Sequence, residues 1–192
     1  MKLTLSYSGG TARGRQLARE FDRMGYLSRL YLPSYSHKVN YLPSVLTNRL
    51  DIAQGMDFRK VRTSAGVRFV RSLMRRTARV RKAKPTERYL VCDVTDRLVA
   101  RQLKADADLV MVEAQIALHT IRRAKELGMT TILDRTNSHI MYQSEIWEEE
   151  NAKMGIEWVP NSERVIEKGI REYEEADYIF ALSSYVRRTF LE

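Results

Sequence analysis

The chain has almost no cysteine: Cys92 is the only one among its 192 residues. One thiol cannot form an internal disulfide, and the sequence contains no CxxC pair or Cys/His cluster with zinc-ligand spacing. Cys92 lies in the apolar run YLVCDV, where we expect a small core residue. These absences argue against a disulfide-stabilised secreted domain and a zinc domain, and they favour a reducing, cytoplasmic setting.

Long hydrophobic runs are also missing. No apolar stretch approaches the roughly 18 residues that a membrane-spanning helix requires. Lys2 leads directly into a strand-like segment, so no signal peptide is predicted. With 44% hydrophobic and 30% charged residues, the composition is typical of one globular domain whose core needs no disulfide or metal.

Acidic residues are absent from Phe58 to Thr86, a window that contains eleven lysines and arginines. The rest of the chain has 22 basic and 24 acidic residues, so this window accounts for the net charge of +9. Periodicity predicts a helix over 64–82 with an apolar half and a basic half. The basic half is formed by Arg68, Arg71, Arg75, Arg76, Arg79 and Lys82.

Three interpretations of this basic helix stay open. It suits the interface of an anionic membrane, which would place the protein peripherally on the inner face. It also fits a solvated helix face or a surface that binds nucleic acid. Phe69 is its only aromatic residue, which argues against stacking on single-stranded nucleic acid.

Outside the basic window, the pattern alternates between strands and helices, which predicts an open parallel sheet of Rossmann-like type with helices on both faces. We expect one domain over 1–192 with a basic helical insertion at about 36–104. The predicted strands are 2–7, 27–32, 108–112, 130–134 and a buried strand at 178–182. The predicted helices are 11–24, 64–82, one from Thr86 or Arg88 to Lys104, 117–127, 138–154, 162–175 and one beginning near Ser184.

The first strand is followed by the loop Gly9-Gly10-Thr11, with Arg13 close behind. Glycines let the backbone approach a ligand closely, and the next helix offers free N–H groups to an anion such as a phosphate group. The spacing is not GxGxxG, and no GK[ST] follows, which argues against NAD and ATP sites. A tight strand-to-helix turn without a ligand is the alternative.

Three other strand ends carry polar residues where ligands bind in open α/β sheets. The densest group follows the strand at 130–134 and consists of Asp134, Arg135, Asn137, Ser138 and His139. Glu113 follows the strand at 108–112, and Ser183 and Ser184 follow the last strand. Structural alternatives are that Ser138 and Ser184 are helix N-caps and that His139 is a surface imidazole.

No nucleophile–base pair is recognisable in the sequence. The three histidines, His37, His119 and His139, do not have the spacing of a triad or a metal site. The sequence therefore predicts neither a metal nor a cofactor.

Three segments together resemble the N-terminal domain of GT-B glycosyltransferases, in the retaining group that includes sucrose and glycogen synthase-like enzymes (glycosyltransferase family 4-like). They are the first strand with its Gly9-Gly10-Thr11 loop, TTILDRTNSHI, and EYEEADYIFALSSYVRRTFLE. The resemblance covers roughly residues 1–34 and 106–192. In that group, the last segment ends the N-terminal domain, just before the link to a C-terminal one.

The resemblance implies an acceptor-side domain that needs a donor-binding C-terminal domain, in cis or in trans, and is inactive alone. Gly9 and Gly10 would reach the diphosphate of a nucleotide sugar, and His139 would contact the transferred sugar as the catalytic histidine. The acceptor would be a glycan or a lipid-linked sugar. The alternative is a stand-alone α/β module that binds anions or nucleic acid without catalysis.

Overall fold

A computed structural model describes residues 1–8, 12–32, 56–62, 85–157 and 159–191. Its centre is a six-stranded sheet in which every neighbouring pair is parallel. The strands are β1 (Leu3–Ser6), β2 (Leu27–Tyr31), β3 (Val61–Arg62), β4 (Leu109–Glu113), β5 (Thr130–Arg135) and β6 (Tyr178–Ala181). They lie in the order β3-β2-β1-β4-β5-β6, so the winding direction reverses between β1 and β4. This is the doubly wound arrangement, and the predicted fold class is confirmed.

The described helices alternate with these strands. They are α1 (Ala12–Arg23), α2 (Pro85–Gln102), α3 (Leu118–Glu126), α4 (Ile140–Lys153), α5 (Glu163–Glu175) and α6 (Ser184–Arg188), with a short 3-10 turn at Phe58–Lys60. Most predicted bounds agree with the observed ones within two residues. The agreement follows from the regular spacing of apolar residues in each segment.

The sheet is buried on both faces because successive strand residues point in opposite directions. Leu3, Leu5 and Met111 pack on one face with residues of α1. Val110 and Val112 point the other way, into a second cluster that includes residues of α2 and α3. The two clusters fix α1 on one side of the sheet and α2 and α3 on the other.

The segment at 36–104, predicted to be a basic helical insertion, is described only over 56–62 and from residue 85 onward. β3 pairs with β2 through Leu30 and Val61, and Val99 of α2 packs in the second cluster. These described parts therefore belong to the sheet and its helical layer. The predicted helix at 64–82, with Arg68, Arg71, Arg75, Arg76, Arg79 and Lys82, lies outside the described residues.

The prediction of a buried last strand was wrong. Among the described strands β6 is the outermost and pairs with β5 alone, and Tyr178 and Phe180 are 65% and 44% exposed. Its run of apolar residues resembles that of a central strand, but Ile179 is its only residue packed against the second cluster. Cys92, expected in the core, is half-buried on α2.

Within the described ranges, no helix combines the length and apolarity needed to cross a lipid bilayer.

Candidate functional site

The carboxyl ends of β1, β4 and β5 meet at the point where the winding direction reverses. Ser6 is aligned with Val112, and Glu113 is aligned with Asp134. Residues that are far apart in the sequence therefore share one edge of the sheet. This edge is where open α/β sheets bind their ligands.

Asp134 is the buried centre of this edge, with 1% of its surface exposed. Its Oδ2 accepts hydrogen bonds from the Tyr7 hydroxyl at 2.6 Å and from Arg13 Nε at 3.0 Å. Arg13 Nη2 lies 2.9 Å from Oδ1, and the guanidinium stacks over Phe180 at 5.1 Å. Burial and the Asp134 carboxylate raise the pKa of Tyr7 far above its usual value, so this hydroxyl stays protonated.

Glu113 fixes the start of the loop that follows β1. Its Oε2 accepts a hydrogen bond from the Ser8 backbone N–H at 2.7 Å. Gly9, Gly10 and Thr11 lie outside the described residues, so the predicted phosphate loop is seen only through its two flanks.

Gly14 sits where α1 crosses the end of β1. A Cβ at this position would lie 2.6 Å from the Tyr7 ring, so only glycine permits this close approach. The approach brings α1, and with it the Arg13 guanidinium, to the carboxyl edge of the sheet.

Arg135 stabilises the loop between β5 and α4 from inside. Its guanidinium donates to the Ser138 carbonyl from Nε at 3.0 Å and from Nη2 at 2.7 Å, and Nη2 also donates to Gln143 Oε1 at 3.0 Å. The group lies 5.9 Å from the centre of the Tyr173 ring. Arg135 is 3% exposed, and burial lowers its pKa. These contacts give Arg135 a structural role in shaping the predicted site.

His139 is half-buried, and neighbouring residues fix its backbone and the direction of its ring. Its backbone N–H donates to Thr189 Oγ1 at 2.9 Å, and its ring packs on Tyr173 and Phe190 with centroids 4.9 and 5.2 Å away. Nδ1 accepts from the Met141 N–H at 3.3 Å, which leaves the proton of a neutral ring on Nε2. Burial, aided by a nearby guanidinium, lowers the pKa of His139 and favours the neutral imidazole.

The two helix N-caps lie one residue away from Ser138 and Ser184, the serines considered as alternatives for that role. His139, not Ser138, is the N-cap of α4. Ser183, not Ser184, caps α6, because its hydroxyl accepts from the Val186 N–H at 3.2 Å. In each case the neighbouring residue has the extended backbone that turns a side-chain acceptor back toward the helix N–H groups.

A cleft of about 310 Å³ opens beside these residues. It is lined by Glu113, Ala114, Gln115, Asp134, Arg135, Thr136, Asn137, Gln143, Ser144, Trp147 and Asn161. The structure thus brings together four of the candidate cleft residues, Glu113, Asp134, Arg135 and Asn137, and their role in binding a ligand stays a prediction. His139, Ser138, Ser183, Ser184 and Arg13 do not line it.

Of the seven other lining residues, Ala114, Gln115 and Thr136 adjoin predicted residues in the sequence, and the remaining four come from elsewhere in the chain. Gln143, Ser144 and Trp147 lie on one face of α4, and Asn161 precedes α5. The spacing i, i+1, i+4 places the first three on one helix face, which the sequence does reveal. That this face borders the strand ends depends on how α4 packs.

A second polar group, also not predicted, lies between α2, α3 and α5. We call it the closed polar cluster, and it consists of Asp93, Asp96, Lys168 and Glu172. Lys168 Nζ lies 2.6 Å from Asp96 Oδ2 and 3.6 Å from Glu172 Oε1, and all three side chains are almost fully buried. Burial would lower the pKa of Lys168, but the carboxylates outweigh it and raise the pKa, so the ammonium stays charged.

Backbone groups complete the closed polar cluster. Asp96 accepts from the N–H groups of His119 and Thr120 at 2.9 Å each. Glu172 accepts from the N–H groups of Gln115 and Ala117 at 2.6 and 3.0 Å. The cluster therefore ties the turn between β4 and α3 to α2 and α5.

Gln115 joins the cleft to the closed polar cluster. Gln115 lines the cleft, and its backbone N–H donates a hydrogen bond to Glu172. It is also the one non-glycine residue with positive φ, 78°, in the described part of the chain. Such a conformation costs roughly 1–2 kcal/mol and persists only where the surroundings enforce it.

Across the described ranges, no group of three His, Cys, Asp or Glu side chains is arranged to hold a metal ion. Fold and site together define an α/β protein of Rossmann-like architecture with a polar cleft at the carboxyl edge of its sheet. No protein-family model matches the chain, and no curated protein matches it in sequence. Its function must therefore be argued from its own residues.

Proposed function

We propose that this chain is the acceptor-side domain of a nucleotide-sugar-dependent glycosyltransferase of GT-B type. One observation carries the proposal: two of the segments that resemble such enzymes pack directly on each other. His139, from TTILDRTNSHI, is enclosed by Tyr173, Thr189 and Phe190, all from EYEEADYIFALSSYVRRTFLE. These two of the three resembling segments thus pack together next to the cleft.

In this proposal, the donor diphosphate approaches the loop after β1. Backbone N–H groups and basic side chains would stabilise the departing diphosphate without a metal held by the protein. Glu113 supports the first flank of that loop through the Ser8 N–H, and Asp134 orients Arg13 on the second flank. Because Arg13 is already paired with Asp134, a phosphate bound by Arg13 would share its guanidinium with that carboxylate.

His139 is proposed to contact the transferred sugar. The neutral ring has Nδ1 engaged by the Met141 N–H, which leaves Nε2–H to donate to a sugar hydroxyl. The packing of the ring on Tyr173 and Phe190 fixes its direction, as a positioned donor requires.

Activity of the whole enzyme tests the proposal. The purified 192 residues should release no nucleotide diphosphate from UDP-glucose or GDP-mannose in the presence of glycan acceptors. Release should appear when the chain is expressed together with a donor-binding domain encoded beside it, and His139→Ala should reduce it at least tenfold. Efficient transfer by the 192 residues alone would refute the acceptor-side assignment.

The basic residues of 58–86 motivate a second part of the proposal, that the domain works on an anionic membrane surface. Eleven positive charges without an acidic residue would attract anionic lipid at about 1 kcal/mol per charge near the surface. Flotation with vesicles containing phosphatidylglycerol should capture the chain, and neutral vesicles should not. Equal binding to both, or to neither, contradicts the membrane role.

The same charge supports the competing function, an anion- or nucleic-acid-binding module without catalysis. Salt-sensitive binding to DNA or RNA at physiological ionic strength, unaffected by nucleotide sugars, would favour that function.

A further inference from the structure

The cleft at the carboxyl edge is lined mainly by uncharged hydrogen-bonding groups. Its amide and hydroxyl side chains are Gln115, Thr136, Asn137, Gln143, Ser144 and Asn161. An amide offers two donors and an acceptor, and a hydroxyl offers one donor and two acceptors. Such a lining matches a ligand that presents many hydroxyl groups in different directions.

The charged residues of the cleft already make hydrogen bonds within the protein, and Asp134 is also paired with an opposite charge. Asp134 is paired with Arg13, and Arg135 donates to the Ser138 carbonyl and to Gln143. Glu113 accepts from the Ser8 N–H. Among the described lining residues the one cation, Arg135, is 3% exposed and already donates to neutral groups, and the two carboxylates would repel a phosphate or a carboxylate.

Trp147 adds an apolar surface to this polar cleft. The side chain lines the cleft and is 46% exposed, although an indole of this size usually buries most of its surface. A flat indole covers the C–H face of a sugar ring and gains from the apolar area removed from water. Pockets with an aromatic wall and a few directed polar groups are typical of small-molecule sites.

We propose that this cleft binds the uncharged hexose end of a glycan, with Trp147 stacking on the ring and the surrounding amides bonding its hydroxyls. Naming that glycan as the acceptor rests on the proposed function. The assignment is narrower than that function, because it excludes phosphate or carboxylate groups of the acceptor from the cleft. A lipid-linked acceptor would have to place its phosphate elsewhere.

Saturation-transfer NMR on the full chain tests the proposal directly. The probes are the methyl α-glycosides of glucose, mannose and galactose, each raised to about 50 mM, because a single hexose binds such sites with a dissociation constant of order millimolar. At least one should give transfer that Trp147→Ala weakens tenfold or more and Trp147→Phe partly restores. Glucose 6-phosphate and glucuronate should bind at least tenfold more weakly than their neutral counterparts.

Tyr178→Ala is the matched control, since it removes another exposed aromatic ring that does not line the cleft. It should leave the transfer unchanged, and urea unfolding should show that both alanine variants fold. Absence of binding by all three glycosides, tighter binding of the charged sugars, or retention of binding in Trp147→Ala would each overturn the proposal.

The two proposals fail separately. Hexoside binding without any glycosyl transfer by the completed enzyme would leave the cleft assignment standing and remove the enzymatic role. Glycosyl transfer that does not depend on Trp147 would leave the enzymatic role standing and remove the cleft assignment.

Discussion

The cleft and the closed polar cluster are both groups of charged and polar side chains at the carboxyl side of β4, yet they differ in what they leave available. In the closed polar cluster, Lys168 is matched by Asp96 and Glu172, and both carboxylates accept backbone N–H groups. In the cleft, Asp134 is paired with Arg13, Arg135 and Glu113 bond uncharged groups, and amide, hydroxyl and indole side chains line an open space. A high density of polar residues therefore does not by itself mark a site, and the two regions differ in whether their side chains are enclosed by protein partners or line an open space.

The largest expected effect comes from breaking the closed polar cluster with Lys168→Met. The change leaves Asp96 and Glu172 buried without their cation, which typically costs about 3–5 kcal/mol of unfolding free energy. Urea unfolding followed by circular dichroism measures the loss. Asn137→Ala, in the exposed part of the cleft, should change the same free energy by about 0.5 kcal/mol or less. Similar losses in both variants would erase the contrast.

A smaller effect is expected at Gln115, which belongs to both regions. Gln115→Gly and Gln115→Ala remove the same side-chain contacts, but only glycine adopts a φ of 78° without strain. The glycine variant should be more stable than the alanine variant by about 1 kcal/mol in urea unfolding. An alanine variant equal to or more stable than the glycine variant would show that the turn relaxes and that the strain is not enforced.

The smallest effect concerns pH and the outer carboxylate of the closed polar cluster. Burial would raise the pKa of Asp93, but the hydrogen bond from Arg97, the contact with His119 and the charge of Lys168 together lower it. A lowered pKa in the folded state stabilises the protein at pH values above the ordinary aspartate pKa of about 3.9. This stabilisation is lost as the pH falls below that value.

Asp93→Asn should therefore reduce the unfolding free energy at neutral pH by about 1 kcal/mol or less, with the difference from wild type shrinking below about pH 4. Urea unfolding between pH 3 and 7 measures it, and Glu148→Gln on α4 provides an exposed control. A difference that grows toward low pH would contradict the assigned direction.

Much of the fold is predictable from local pattern. The apolar spacing that defines α1, α3 and β5 lies within each segment, so neighbouring residues suffice to locate them. β3 escapes prediction because it is two residues long and has one apolar side chain in a basic stretch. The burial of β6 was predicted wrongly because a run of apolar residues does not show whether another strand pairs with its outer edge.

The residues of the candidate site also fall into those that local pattern predicts and those that it does not. Parallel strands followed by polar residues predict that Glu113 and Asp134 share an edge, and they do. Trp147 and Asn161 could not be assigned to that edge, because α4 and the approach to α5 reach it only through packing. The pairing of Asp96 with Lys168 spans 72 positions and leaves no local trace.

The sequence by itself determined the alternation of strands and helices, the parallel sheet, and the concentration of polar residues after β4 and β5. These follow from periodicity and the directionality of parallel strands, which are properties of short segments. Only the tertiary structure decided the strand order, the exposed edge at β6, and which polar groups are saturated and which line an open cleft. Those features depend on contacts between distant segments, where close packing and the pairing of buried polar groups select one arrangement.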